Sequence, residues 1–287
     1  MRSFAAFAAM IVLAANGASA QCKVSIGSNE GKLLAFYVAP LVFAPAVSPG
    51  QMRTGAVRVG FEAEYLPKPS SEIQRTGKCF LQKSEHTSIS PVFGRPRITV
   101  GLPSGFAVEA SYLPPIKIAD AKPNMGSVAI SRDQHFETST ALGDLDVMGR
   151  AHATFGNVKG PITCPKSSLQ TTDASKPCYG TTPSNDTFHP GMFGAEVVAG
   201  AYPRRGPLLY YAGAGANRID PHFQVGFTDG TGHVDQTQVQ LETPVTRVAL
   251  LAGVTSKTTS RLDYGLQVYS VPADATTFRF HAGLTFR

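Results

Sequence analysis

The sequence predicts an all-β protein: an antiparallel transmembrane β-barrel of about twelve strands (roughly 12–14), with long extracellular loops and an N-terminal plug segment. Three observations predict it. Apolar and polar residues alternate along many short segments, each closed by a turn composition. The polar positions of those segments carry many charges. The connections between them alternate long and short along the chain.

Residues 1–20 have the form of a bacterial secretory signal peptide. Arg2 is basic, Phe4 to Leu13 are almost all apolar, and Ala18-Ser19-Ala20 is a small-residue cleavage site. Gln21 is then the mature start. It also disfavours a lipid anchor on Cys22, because a small residue belongs before a lipidated cysteine. No later stretch reaches the roughly 18 apolar residues of a membrane helix. The most apolar one, 33–47, is interrupted by Pro40 and Pro45. Residues 21–54 lack clean alternation and read as a plug, a periplasmic segment, or one or two extra strands. Residues 55–287 read as the barrel.

The net charge is +6 over 287 residues, and the Lys and Arg residues are scattered, with no basic run and no interleaved aromatics. Together with export this excludes nucleic acid. It fits anionic lipopolysaccharide, outer-membrane lipid or a small anionic solute. Cys164 and Cys178 lie close together in a Pro/Ser/Thr-rich segment and predict a loop-stapling disulfide. Cys22 and Cys79 are left to pair by elimination. No C-x-x-C spacing occurs and no His stands at ligand spacing, so no metal or other cofactor is expected.

The alternation begins at Val57-Val59-Phe61-Ala63-Tyr65, with Arg58, Glu62 and Glu64 between, and stops at Pro67. A long polar loop follows to about Phe93. Ile98-Val100-Leu102 and Phe106-Val108-Ala110-Tyr112 flank a tight turn at Pro103-Ser104. A weaker strand covers 124–132, and a stronger one 144–155. The irregular segment 156–190 holds the Cys164/Cys178 pair. Further strands are predicted at 191–202, 207–217, 222–228, 234–241, 246–254, 261–271 and 276–286. Counted back from Phe286, the loops near 68–93, 114–123 and 156–190 fall on one side. The turns at 103–104, 203–206 and 229–232 fall on the other.

The inward faces carry Arg58, Glu62, Glu64, Arg97, Glu109, Asp144, Asp146, Arg150, His152, Glu196, Arg247, Arg261, Asp263, Arg279 and His281. Unpaired charges in an apolar core cost several kcal/mol, so this many charges predict a wet or ion-paired lumen. Arg and acidic side chains there would set solute preference in a channel or transporter. Asp146 and His152 lie about 20 Å apart along one strand, too far to bond directly, and an ion-pair network with Arg150 accounts for them better.

The terminal hexapeptide His281-Ala282-Gly283-Leu284-Thr285-Phe286 reads polar, any, Gly, hydrophobic, any, aromatic. It resembles the C-terminal signal by which the barrel-assembly machinery of Gram-negative bacteria recognises outer-membrane β-barrel proteins. Arg287 departs from that pattern, in which the aromatic residue is last. The resemblance implies an assembly role for Gly283, Leu284 and Phe286, and a porin- or transporter-like barrel in the outer membrane. Two alternatives stand beside the channel. His86-Thr87-Ser88, with Glu85 adjacent, is an H-x-S arrangement of the kind a lipid or lipopolysaccharide hydrolase could use. A surface structural or binding barrel would expose the Cys164/Cys178 loop.

Overall fold

A computed structural model describes residues 21–77, 79, 83–84, 92–117, 120–138, 143–203, 207–257 and 261–286. In chain order the elements are β1 (Gln21–Val24), α1 (Asn29–Val38), β2 (Val57–Tyr65), β3 (Arg75–Thr76), β4 (Lys83–Ser84), β5 (Val92–Gly101), β6 (Phe106–Leu113), β7 (Lys122–Phe136) and β8 (Asp144–Gly160). Then come β9 (Asp186–His189), β10 (Met192–Tyr202), β11 (Leu208–Ile219), β12 (His222–Gln224), β13 (Phe227–Thr228), β14 (Val234–Asp235), β15 (Gln238–Leu241), β16 (Val245–Lys257), β17 (Leu262–Val271) and β18 (Ala275–Phe286).

Ten antiparallel strands close a barrel among the described residues: β2, β5, β6, β7, β8, β10, β11, β16, β17 and β18, with β18 pairing back onto β2. This corrects the count of about twelve. Residues 222–228 and 234–241, read as two wall strands, break into short pieces within the β11–β16 connection. Gly226 and the Asp229–Gly232 turn interrupt them, and no piece exceeds four residues. A wall strand needs about nine to eleven residues to cross a bilayer.

The β2–β5, β6–β7, β8–β10, β11–β16 and β17–β18 junctions, the first four of them the long connections, share one end. The β5–β6, β7–β8, β10–β11 and β16–β17 junctions share the other. Losing two strands leaves the parity of every other connection unchanged. Only the 229–232 turn moves: it lies at the long-connection end, not opposite it.

Long apolar side chains point out of the wall. Val59, Phe61, Ile98, Val128, Val197, Val248, Leu266 and Phe278 are among the exposed ones, and Phe278, Phe280, Leu284 and Phe286 are exposed along β18. A surface this apolar is stable against hydrocarbon and not against water.

At the long-connection end, β9, β12, β15 and β1 extend the sheet from the tip of β8, with β1 parallel to β15. The helix α1 packs beneath this extension. Ser28 caps it by accepting from the Gly31 amide at 3.1 Å. Pro40, which has no amide proton, ends it just beyond Val38. Pro40 and Pro45 argue against a helix in 33–47, but the cap at Ser28 starts one twelve residues before Pro40, and it reaches Val38. Leu34, Ala35 and Val38 join Phe188, Phe223, Val225, Val239 and Leu241 in the apolar core. The Asp186 carboxylate accepts from the Thr163 amide (2.6 Å), the Ser184 hydroxyl (2.8 Å) and the Gly226 amide (2.9 Å), tying two connections together. Disulfides join Cys22 to Cys79 and Cys164 to Cys178, with Cα–Cα distances of 5.8 and 5.4 Å.

Candidate functional site in the barrel interior

The inward faces build a continuous ion-pair network. Glu62 of β2 accepts from Arg95 Nε at 2.9 Å and from Arg97. Arg97 also forks onto Glu109, with Nε at 2.7 Å and Nη2 at 2.9 Å. Glu109 in turn accepts from Arg150 Nη2 at 3.0 Å, and Arg150 reaches Glu196 at 3.5 Å. Arg279 donates to Glu64 at 3.2 Å and lies 3.7 Å from Glu62. Such paired, forked geometry is what makes buried charge tolerable.

The chain's own N-terminal segment runs down the middle of this network. Its backbone carbonyls take the remaining donors. Arg95 Nη2 donates to Val42 O at 2.6 Å and Arg279 Nη1 to the same oxygen at 3.0 Å. Arg97 donates to Ala44 O at 2.7 Å, Arg150 to Phe43 O, and Gln267 to Pro45 O at 2.9 Å. Thr154 donates to Leu41 O at 3.1 Å. Further down, the Ser48 amide donates to Thr255 Oγ1 at 3.2 Å and the Gly50 amide to Asp133 at 2.9 Å. Composition explains the match. Pro40, Pro45 and Pro49 remove amide donors and bar regular pairing, so the segment presents mainly acceptors. An arginine-rich wall presents mainly donors.

Phe43 is fully buried at the centre. The guanidinium carbons of Arg95, Arg97 and Arg150 lie 5.1, 4.2 and 5.1 Å from its ring centroid. All three sit within cation–π range.

Not every expected residue enters this network. Asp146 bonds His135 Nδ1 at 2.7 Å, separate from Arg150, because it lies nearer the short-turn end than the Glu109 level. His152 instead stands 3.5 Å from Glu196, which also accepts from the Tyr269 hydroxyl at 3.3 Å. Arg58 pairs with Asp263 at 2.9 Å, and His281 lies 3.4 Å from Thr255. Asp144, Arg247 and Arg261 sit at the rims. Asp144 is 3.4 Å from the Thr138 amide, Arg247 pairs with Asp274 at 3.0 Å, and Arg261 is exposed. Sequence reasoning missed Arg95, Tyr269, Gln267 and Phe43. Arg95 could have been found by carrying the β5 alternation back through Pro96, which faces outward.

The small residues on inward faces make room for this network. A methyl on Gly283 would overlap the Arg58 guanidinium, and one on Gly265 the His281 ring. Gly283→Ala is therefore expected to weaken the Arg58–Asp263 pair and destabilise the barrel by about 1–3 kcal/mol. The measurement is the urea midpoint of the purified, refolded protein. A variant that refolds normally in vitro yet fails to assemble in cells would instead support the assembly role of Gly283. His86, Ser88 and Glu85, residues 1–20 and Arg287 lie outside the described residues. Of the described residues, no three His, Cys, Asp or Glu side chains group as metal ligands, and no helix is long and apolar enough to cross a membrane.

No family model and no curated protein sequence matches the chain. Solved structures share the barrel architecture at low similarity. Outer membrane protease OmpT from Escherichia coli aligns at 7% identity and TM-score 0.37, over 81% of this chain and 93% of that one. The attachment invasion locus protein Ail of Yersinia pestis aligns at 9% identity and TM-score 0.31, over 82% and 100%. Neisserial surface protein A aligns at 10% identity and TM-score 0.27, over 80% and 97%. At TM-scores below 0.5 these likenesses have no bearing on what the chain does.

Proposed function

We propose that this chain, a bacterial outer-membrane β-barrel, works as a closed barrel: an anchor plugged by its own N-terminal segment that holds a folded, disulfide-stapled cap at the cell surface. The observation that carries the reading is the seating of residues 41–50, whose carbonyls take donors from Arg95, Arg97, Arg150, Arg279 and Gln267. Glu62, Arg97 and Arg279 are at most 2% exposed, so water does not line the barrel at their level. The segment is held above by the Cys22–Cys79 disulfide and below by its continuity with β2.

Long connections mark the outer side of such barrels and short turns the periplasmic side. In this reading the cap faces outward, against lipid and lipopolysaccharide, and residues 281–286 lie at the periplasmic end, where the barrel-assembly machinery would act. The cap is then the part shaped for contact with other molecules.

Passage of small anionic or amphipathic solutes is the second reading. It requires the segment to withdraw, exposing an arginine-rich lumen. Planar-bilayer recordings separate the two. Intact, oxidised protein is expected to give no conductance steps, and steady steps from it would overturn the closed reading. Steps appearing only after reduction of Cys22–Cys79 would support a channel gated by that tether.

A further inference from the structure

Above the apolar belt, the wall of the barrel continues as the sheet extension, and one cross-strand pair on that outer face is basic. Tyr112 and Phe155 mark the top of the belt, both more than half exposed. Four residues beyond Phe155, about 13 Å along the strand, stands Lys159. It pairs directly with Lys122 of β7, and both side chains are exposed on the same outer face. Like charges directly opposite each other across a strand pair are destabilising unless an anion joins them. The next positions in the row, Thr187, Gln224 and Gln238, are uncharged, so the extension supplies no carboxylate to neutralise the pair.

Two further features point to a ligand. Directly beneath the lysines, Asn124 and Asn157 are paired on the same face. The Tyr112 hydroxyl donates to Asn124 Oδ1 at 3.1 Å, which fixes the amide and turns its NH2 group away as a donor. The nearby acid, Asp120, is already engaged: Lys117 bonds it at 2.8 Å. Its carboxyl is held below the usual range by that bond and by the charges of Lys117 and Lys166.

We propose that Lys122 and Lys159, with Asn124 and Asn157 beneath them, bind the phosphate groups of a phosphorylated glycolipid of the outer leaflet. The height fits. Acyl chains would lie along the apolar belt while the headgroup phosphate meets two ammonium groups and two amides. A lysine near an anionic membrane surface contributes about a fivefold gain in affinity.

The proposal rests on the reading that the capped end faces outward, and the test keeps the two apart. Intact protein is reconstituted in phosphatidylcholine vesicles containing diphosphorylated lipid A in both leaflets, and binding is read by fluorescence energy transfer from labelled lipid A. The Lys122→Ala/Lys159→Ala variant is expected to bind about thirtyfold more weakly. The corresponding double arginine variant and Lys68→Ala are expected to bind as the parent does. Heat-modifiable gel migration verifies folding, and a Lys122→Gln/Lys159→Gln variant serves if the alanine form fails to fold. Unchanged binding by the folded double variant overturns the proposal. So does equal binding of lipid A stripped of its phosphates. Inorganic phosphate displacing lipid A at equal concentration would leave a free-anion site and overturn the lipid assignment. Because the vesicles carry lipid A on both faces, these outcomes do not depend on orientation. Failure of an impermeant amine label to reach Lys176 on intact cells would count against the orientation alone.

Discussion

Glu62→Ala is expected to cost about 3–5 kcal/mol of barrel stability, the range for breaking a buried ion pair from one side. Glu62 is 1% exposed and serves three guanidinium groups: Arg95 at 2.7 Å, Arg97, and Arg279 at 3.7 Å. Removing it leaves several positive charges in a dry interior with too few acceptors. Water can relieve this only by entering, which the seated segment opposes. The measurement is urea unfolding of the refolded protein in vesicles, followed by loss of the heat-modifiable band. Glu62→Gln keeps the shape but not the charge, and is expected to lose nearly as much. Adding Arg95→Met to Glu62→Gln is expected to restore part of the loss, since the orphaned charge goes with it. A cost below about 1 kcal/mol for Glu62→Ala would mean a solvated interior, where such pairs are worth little.

Phe43→Ala is expected to have the second largest effect, and to act on closure as well as stability. Truncating a buried Phe costs about 3–5 kcal/mol through lost contacts and the cavity left behind. Here the cavity is walled by Arg95, Arg97 and Arg150, so it is polar enough to admit water. The urea midpoint should fall accordingly, and bilayer recordings should show brief openings absent from the parent. Phe43→Leu keeps most of the volume and loses the ring face; its expected cost is about 1–2 kcal/mol, with no openings. A Phe43→Ala protein as stable and as silent as the parent would show that the segment is not held by its centre.

The wall of this protein was legible because a strand leaves a simple trace. Period-two alternation put Phe278, Phe280, Leu284 and Phe286 on one face, and the structure exposes all four. The same parity put Glu62, Glu64, Glu196 and Arg279 inside, where they are buried. Loop parity survived an error of two strands only because the error was even. That error had a physical source. Residues 222–241 carry short alternating runs that pair within the cap, and alternation alone does not say whether a strand belongs to the wall or to its cover.

The interior was legible only in part. Arg150 and Glu109 meet across the intervening β7, and His135 and Asp146 face each other across the β7–β8 hairpin, so which charges meet depends on strand registers that alternation does not specify. The segment 41–50 carried almost no periodic signal, because its structure is imposed from outside. Prolines strip it of donors, and the arginines around it supply them.

The sequence by itself determined the all-β wall, its lipid-facing and inward faces, and the charge-rich interior. These follow from the two-residue period of an extended chain, which is local. Tertiary structure alone decided the ten-strand closure, the pairing of each buried charge, and the course of the N-terminal segment through the barrel. Those depend on which distant strands become neighbours, and on a non-periodic segment finding its hydrogen-bond partners only once the wall has closed around it.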